Sequence, residues 1–136
     1  MFYNGTLNIA QSPEFLDIFP ESTVVNQNAK KLQIWLKDPL RMFPSITFAP
    51  LGGSITGRCE ASDYLYCDDL VSGFEEATSL PRLEKLWSMY SVNLQQRKLD
   101  GAKEIHLATP WSVHDVIDRL VIEGASNDRI KVIKLP

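Results

Sequence analysis

The 136-residue chain lacks several patterns that would assign a function at once. It has no G-x-x-x-x-G-K-S/T phosphate-binding loop, no CxxC pair and no internal repeat. No apolar run approaches the roughly 20 residues that a membrane-spanning helix needs. The first residues carry no basic stretch followed by an apolar core, so no signal peptide is expected. The two cysteines, Cys59 and Cys67, are typical of a reduced, intracellular chain.

An excess of positive charge is also missing. The 14 basic and 17 acidic residues give a formal net charge of −3, which argues against a protein that binds nucleic acid by bulk charge. Hydrophobic residues make up 44% of the chain, as in ordinary globular proteins, and the length suits one domain with a real core. Four basic residues are grouped near a predicted hairpin, where they form either a DNA-contacting patch or a solvated face: Lys30, Lys31, Lys37 and Arg41.

The first half of the chain predicts two short helices and a hairpin. "SPEFLDIF" places Ser12 as the N-cap and Pro13 at the first helical position. A second short helix is expected around residues 4–11. "KLQIWLK" alternates between apolar and polar residues, and "SITFAPL" is a second β-rich run, so the two predict a hairpin with a long loop.

The second half predicts strands that alternate with helices. "YLYC" is expected to be a buried strand, and "LPRLEKLWSMYSVNLQQRKLDG" has the apolar spacing of a helix. The strand "KEIHLAT" follows, and then a helix over "SVHDVIDRLVIEG", with Ser112 as its cap and Gly124 as its stop. "RIKVIKL" is expected to be a last strand. This order predicts an α/β fold with a mostly parallel sheet and crossover helices.

Polar residues follow two of these strands. Asp68 and Asp69 come after "YLYC", and Thr109 ends "KEIHLAT". If the strands are neighbours, their tips meet at one edge of the sheet, where ligands bind in such folds. Carboxylates there suit a Mg²⁺ ion and an attacking water. The alternative for each is structural: an acid pair often starts a solvated loop, and a threonine before a proline often belongs to a turn.

Several motifs in order give the chain a resemblance to a known family. From residue 52 to 120 it resembles the ATPase domain of the large terminase subunit of tailed bacteriophages, the DNA-packaging motor. The similarity extends over nearly the whole chain. The matching positions are Gly52–Gly57, Asp68–Asp69, Glu75–Ala77, Trp87 and Tyr90, Thr109–Trp111, and Asp115.

The resemblance implies a partial P-loop (ASCE/RecA-like) ATPase domain over residues 1–136. The phosphate loop would lie upstream and the nuclease domain downstream. Asp68 would hold Mg²⁺ and, with Thr109, contact the nucleotide. The catalytic residues would be Asp69, Glu76, Arg58 and Thr109. Mg²⁺ and ATP would bind the intact protein, and neither is expected on this chain alone.

The implied setting is the cytoplasm of a bacterial host. The expected partners of the intact motor are double-stranded DNA, the portal protein, the small terminase subunit and further copies in a ring, with no membrane involved.

Two departures from the family pattern affect the site. Pro110 stands where many members have arginine, and Asp69 is shorter than the usual glutamate. Whether Asp69, Glu75 or Glu76 orients the attacking water therefore stays open.

Three functional hypotheses remain at this point. The chain is a motor ATPase fragment that needs its missing part, an inert prophage remnant, or a DNA- or partner-binding module on the same scaffold. His106, His114 and the cysteines lack metal-ligand spacing along the chain, so a metal site among them is not expected. Cys67 has no base near it in the pattern, which argues against a nucleophile.

The resemblance also predicts a missing neighbour in the sheet. The strand that leads into the phosphate loop would lie between "KEIHLAT" and "RIKVIKL". Without that strand, two apolar edges would be unpaired. We expect the last strand to pair directly with "KEIHLAT", or another chain to fill the gap.

A role in catalysis between subunits is predicted for Arg58. It follows Gly57 in a glycine-rich loop, and in ring ATPases such an arginine reaches the neighbour's γ-phosphate. The alternative is a local ion pair with Glu60 or Asp63. In the intact motor, we expect Arg58→Ala to abolish hydrolysis and leave ATP binding largely intact, as measured by turnover and nucleotide-binding assays. Unchanged turnover would refute the role.

Overall fold

The computed structural model describes residues 2–37, 42–53, 55 and 59–135. They form a mixed α/β structure that divides into two compact units, one up to residue 59 and one from residue 60. None of the described helices has the length and apolar character needed to cross a bilayer. That residues 1–136 make up one partial ATPase domain stays a prediction.

The first unit begins with the two predicted helices. Helix α1 covers Phe2–Ala10 and helix α2 covers Pro13–Ile18. Ser12 caps α2, because its Oγ accepts a hydrogen bond from the Phe15 amide at 3.2 Å. Both helix predictions are therefore confirmed, and α2 begins for the reason that the sequence indicates.

A three-stranded antiparallel sheet completes the first unit. Its strands are β1 (Val24–Asn28), β2 (Gln33–Leu36) and β3 (Ile46–Thr47), in that order. The predicted hairpin is confirmed as β2 and β3, and Ile34 is completely buried. Strand β1 was not predicted, because its middle residues are polar or exposed and show no alternation.

The second unit is built on two parallel strands, β4 (Tyr64–Asp68) and β5 (Lys103–Leu107). Helices α3 (Phe74–Ala77) and α4 (Leu80–Ser88) lie between them in the chain. The predicted long helix continues from α4 as a π-helix over Met89–Leu94 and a 3₁₀ turn over Gln95–Arg97. Such π-helical segments are rare and occur often at functional sites.

Helix α5 (Val116–Gly124) follows β5 and ends at Gly124 as predicted. The predicted cap, Ser112, is wrong. Asp115 is the N-cap, and its side chain accepts a hydrogen bond from the Asp118 amide at 2.8 Å. The helix therefore starts later than expected, because the Asp115 carboxylate, and not the Ser112 hydroxyl, accepts the hydrogen bond from an amide of the first helical turn.

Two predictions about strand burial and pairing are wrong. Strand β4 is not buried: Cys67 is its one buried residue, whereas Tyr64 and Tyr66 are 57% and 56% exposed. "RIKVIKL" is not a strand within the described residues 129–135. Instead, the side chains of Ile130 and Val132 lie against Gly124 at the end of α5.

The prediction of an α/β fold with a mostly parallel sheet is confirmed in part: the structure is mixed α/β, and β4 and β5 pair in parallel. Within the described residues, three strands are antiparallel and two are parallel. The predicted closure of the gap by direct pairing with β5 does not occur there. The other expected outcome, an intermolecular contact at this edge, stays a prediction.

The core of the second unit supplies a stability test. Leu83 is 1% exposed and packs with Val71, Ala77 and Leu86. We expect Leu83→Ala to lower the free energy of unfolding by about 2–5 kcal/mol, because it removes buried methyl groups and leaves a cavity. Denaturant titration measures the change. The control is Leu80→Ala, 49% exposed on the same helix, and equal losses for the two variants would contradict this packing.

Candidate functional site at the tips of two parallel strands

The structure brings the predicted strand-tip residues together. Beyond the last paired residues of β4 and β5, the Asp69 amide donates to the Leu107 carbonyl at 3.0 Å. The Thr109 amide in turn donates to Asp69 Oδ1 at 3.3 Å. The predicted convergence of Asp69 and Thr109 at one edge of the sheet is therefore confirmed.

The two adjacent acids have different backbone environments. Asp68 is the last residue of β4 and is exposed. Asp69 has a φ of 38°, in the left-handed region that non-glycine residues seldom adopt, although aspartate tolerates it better than most. This conformation breaks the strand alternation and points the Asp69 carboxylate at the Thr109 amide. Backbone strain of this kind is concentrated at functional sites.

A buried carboxylate holds the loop that carries Thr109. Asp115 is 1% exposed, and its Oδ2 accepts hydrogen bonds from the amides of Trp111 at 2.8 Å and Ser112 at 3.0 Å. Its Oδ1 caps α5 through the Asp118 amide. One side chain thus joins the loop after β5 to the start of α5, a role that the sequence analysis did not predict for Asp115.

A small cavity lies beneath these residues. Its volume of about 10 Å³ is enough for one water molecule and far below that of a nucleotide site. The lining residues come from both strand tips and from the start of α5: Cys67, Asp69, Leu70, Val71, His106, Ala108, Thr109, Asp115, Val116 and Ile117. The cavity is therefore too small to enclose a nucleotide.

The two predicted glutamates, Glu75 and Glu76, are not part of this group. Glu76 Oε2 accepts hydrogen bonds from the Ser72 amide at 2.8 Å and the Ser72 hydroxyl at 2.9 Å, which close the turn before α3. Glu75 is exposed in the first turn of α3. Among the described residues, the cavity lining includes neither glutamate. Arg58 lies outside the described residues.

A second polar cluster lies on the inner face of the two strands, around Glu104. Glu104 Oε1 accepts from the Tyr90 hydroxyl at 2.6 Å and contacts His106 Nε2 at 2.6 Å. Glu104 Oε2 accepts from Gln95 Nε2 at 2.7 Å and pairs with Lys98 Nζ at 2.8 Å. The cluster ties the π-helix and the turn after it to β5.

These contacts shift three pKa values. Burial works against ionisation of Glu104, but hydrogen bonds from His106, Lys98, Tyr90 and Gln95 outweigh it and hold the pKa of this carboxyl far below its usual range. Burial, followed by the hydrogen bond to Glu104, raises the pKa of Tyr90. Burial and the Glu104 charge raise the pKa of Cys67 to about 12. The Cys67 thiol is thus protonated at neutral pH, in agreement with the prediction that it is no nucleophile.

Sequence reasoning missed the Glu104 cluster. Two signals were present: Glu104 and His106 are two residues apart, so they share one face of a strand, and Tyr90 lies on the apolar side of the preceding helix. A third feature could not be read from the sequence: that Cys67 lies opposite His106 depends on the strand register.

Comparison with known proteins identifies no relative. No family model, no curated protein and no solved structure matches this chain.

The loop attached to Asp115 can be tested directly. We expect Asp115→Ala to destabilise the second unit by about 2 kcal/mol or more, because it uncaps α5 and leaves the Trp111 and Ser112 amides without their acceptor. Denaturant titration gives the free energy, and hydrogen exchange at those two amides should accelerate. The exposed Asp128→Ala is the control. Unchanged exchange in Asp115→Ala would show that the carboxylate does not hold the loop.

Proposed function

We propose that this chain supplies the acid-bearing strand tips of a Mg²⁺–ATP site in a DNA-packaging motor of the large terminase type, with a partial P-loop fold. The observation that supports this most is the hydrogen bond between Asp69 Oδ1 and the Thr109 amide. It joins the ends of adjacent parallel strands, the place where open α/β sheets bind ligands.

In this proposal Asp68 binds the metal ion and Asp69 orients the attacking water. Asp68 is exposed and offers the hard carboxylate oxygen that Mg²⁺ prefers. Asp69 is fixed by its own backbone bond to Leu107 and by the Thr109 amide, so it can orient an attacking water without a loss of side-chain freedom. The Thr109 amide links the position of Asp69 to the end of β5. In this proposal Thr109 also contacts the nucleotide and senses its phosphate.

The local contacts favour Asp69 over the two glutamates as the water-orienting acid. Glu76 already accepts two hydrogen bonds from Ser72, and releasing it would leave that turn without its closing contact. Glu75 is exposed and has no strand to fix it. Asp69 is the acid whose position is set by both strands.

The remaining parts of the motor belong to the proposal as well. The phosphate-binding loop, the ring of further subunits, double-stranded DNA, the portal protein and the small terminase subunit would complete the machine in the cytoplasm of a bacterial host. Arg58 would act on a neighbouring subunit, and Glu76 would support the site only through the turn before α3.

Paramagnetic Mn²⁺, a stand-in for Mg²⁺, tests the proposed metal position. We expect Mn²⁺ to broaden the amide signals of residues 68–70 and 108–110 first, with a weak affinity of about a millimolar because this chain offers few ligands. Asp68→Asn and Asp69→Asn should remove the broadening. Glu75→Gln, an acid one loop away, should keep it. Broadening that persists in both aspartate variants would rule out the proposed site.

The nucleotide itself should not bind tightly to this chain. Without a phosphate-loop lysine and its cradle of amides, the main source of phosphate affinity is missing. We expect no ATP hydrolysis and at most weak binding of Mg²⁺–ATP by calorimetry. Micromolar affinity would contradict this expectation. A salt-dependent shift of DNA by the chain, with no Mn²⁺ effect at Asp68, would instead favour a DNA-binding module.

A further inference from the structure

Strand register places three metal-ligand side chains side by side on the inner face of β4 and β5. Cys67 lies opposite His106, and Glu104 is on the same face of β5. The ligand atoms of these three residues all lie within 4.8 Å of one another. Cys67 is 4% exposed, and the side chains of Glu104 and His106 are 14% and 12% exposed.

We propose that Cys67, Glu104 and His106 form a binding site for a borderline-soft divalent cation of the Zn²⁺ class. Thiolate, imidazole and carboxylate are the three ligand types that Zn²⁺ takes in proteins. Tetrahedral bonds of the usual lengths would place these ligand atoms about 3.3–3.6 Å apart. To bind an ion, Glu104 Oε1 and His106 Nε2, which are 2.6 Å apart, must move slightly apart, and the Cys67 thiol must lie within about 3.6 Å of both.

The carboxylate is held by partners of its own. Gln95 and Lys98 bond Glu104 Oε2, whereas Oε1 faces His106 Nε2 and also accepts the Tyr90 hydroxyl. A cation between Oε1 and Nε2 replaces that direct contact and leaves the bonds to Oε2 intact. Hydrogen-bonded partners of this kind orient the ligands of metal sites and raise their affinity.

Charge and space are compatible with such an ion. Binding displaces the thiol proton of Cys67, and the proton between His106 Nε2 and Glu104 Oε1 leaves or moves to Nδ1. The Cys67 thiolate and the Glu104 carboxylate then face the doubly charged ion, while Lys98 stays paired with Glu104 Oε2. The small cavity beneath the strand tips is lined by both Cys67 and His106, and its volume of about 10 Å³ suits a water as the fourth ligand.

Co²⁺, which takes the same geometry and absorbs light, tests the site. We expect the whole chain to bind one Co²⁺ with a near-ultraviolet thiolate-to-cobalt band, and Zn²⁺ to displace it. No saturable band in the native chain would overturn the proposal, and this measurement requires no variant to fold.

Variants assign the ligands. Cys67→Ala should abolish the band, and His106→Asn should lower the affinity by about 100-fold or more. Gln95→Leu, which removes only a partner of Glu104, should lower it by about 10- to 100-fold. Cys59→Ala, the other cysteine, is the matched control and should bind like the native chain. A band that is lost in Cys59→Ala or kept in Cys67→Ala would overturn the assignment of the ligands. If Cys67→Ala does not fold, the Gln95→Leu titration tests the site instead, and an unchanged Co²⁺ affinity in that variant would overturn the assignment.

Discussion

The parallel pairing of β4 with β5 is the constraint on which the second unit depends. Its register runs from Tyr64 opposite Lys103 to Asp68 opposite Leu107. A slip of one residue would turn every side chain to the other face of the sheet. The present register places Asp69 beside the loop after β5 and puts Cys67, Glu104 and His106 on one face. The strand-tip site and the inner cluster are thus two consequences of the same pairing.

A two-stranded sheet is marginal by itself, so its packing matters. On the inner face, Glu104 connects β5 to the π-helix through Tyr90 and to the following turn through Gln95 and Lys98. Removal of one partner would leave a partly buried charge with fewer bonds, at a cost of about 1–3 kcal/mol. The outer face is different in character, since its apolar residues are exposed: Tyr64, Tyr66, Ile105 and Leu107.

The sequence predicted those features that depend on neighbouring residues or on the order of strands and helices along the chain. Ser12 capped α2 as expected, Gly124 ended α5, and the strand ends converged because crossover connections make neighbouring strands parallel. Features that depend on how distant residues pack were missed. Apolar content made "YLYC" resemble a buried strand, yet the exposure of Tyr66 depends on what packs on its side of the sheet. "RIKVIKL" has strand propensity, but a strand needs an edge to pair with.

The residues of the candidate site were likewise predicted only where the order of elements along the chain was enough to place them. Asp69 and Thr109 could be placed together from strand order alone, whereas the Glu104 cluster required the register. The Asp115 cap was also missed at first, because a serine three residues earlier satisfied the usual capping pattern.

Backbone NMR of the second unit in solution tests the central claim most directly, namely that β4 and β5 pair in this register. The account predicts cross-strand contacts between the backbones of Cys67 and His106, together with slow hydrogen exchange at the Asp69 amide, which bonds Leu107. Contacts shifted by one residue, or rapid exchange at Asp69, would contradict it, because Asp69 and Thr109 would then no longer be held at one site.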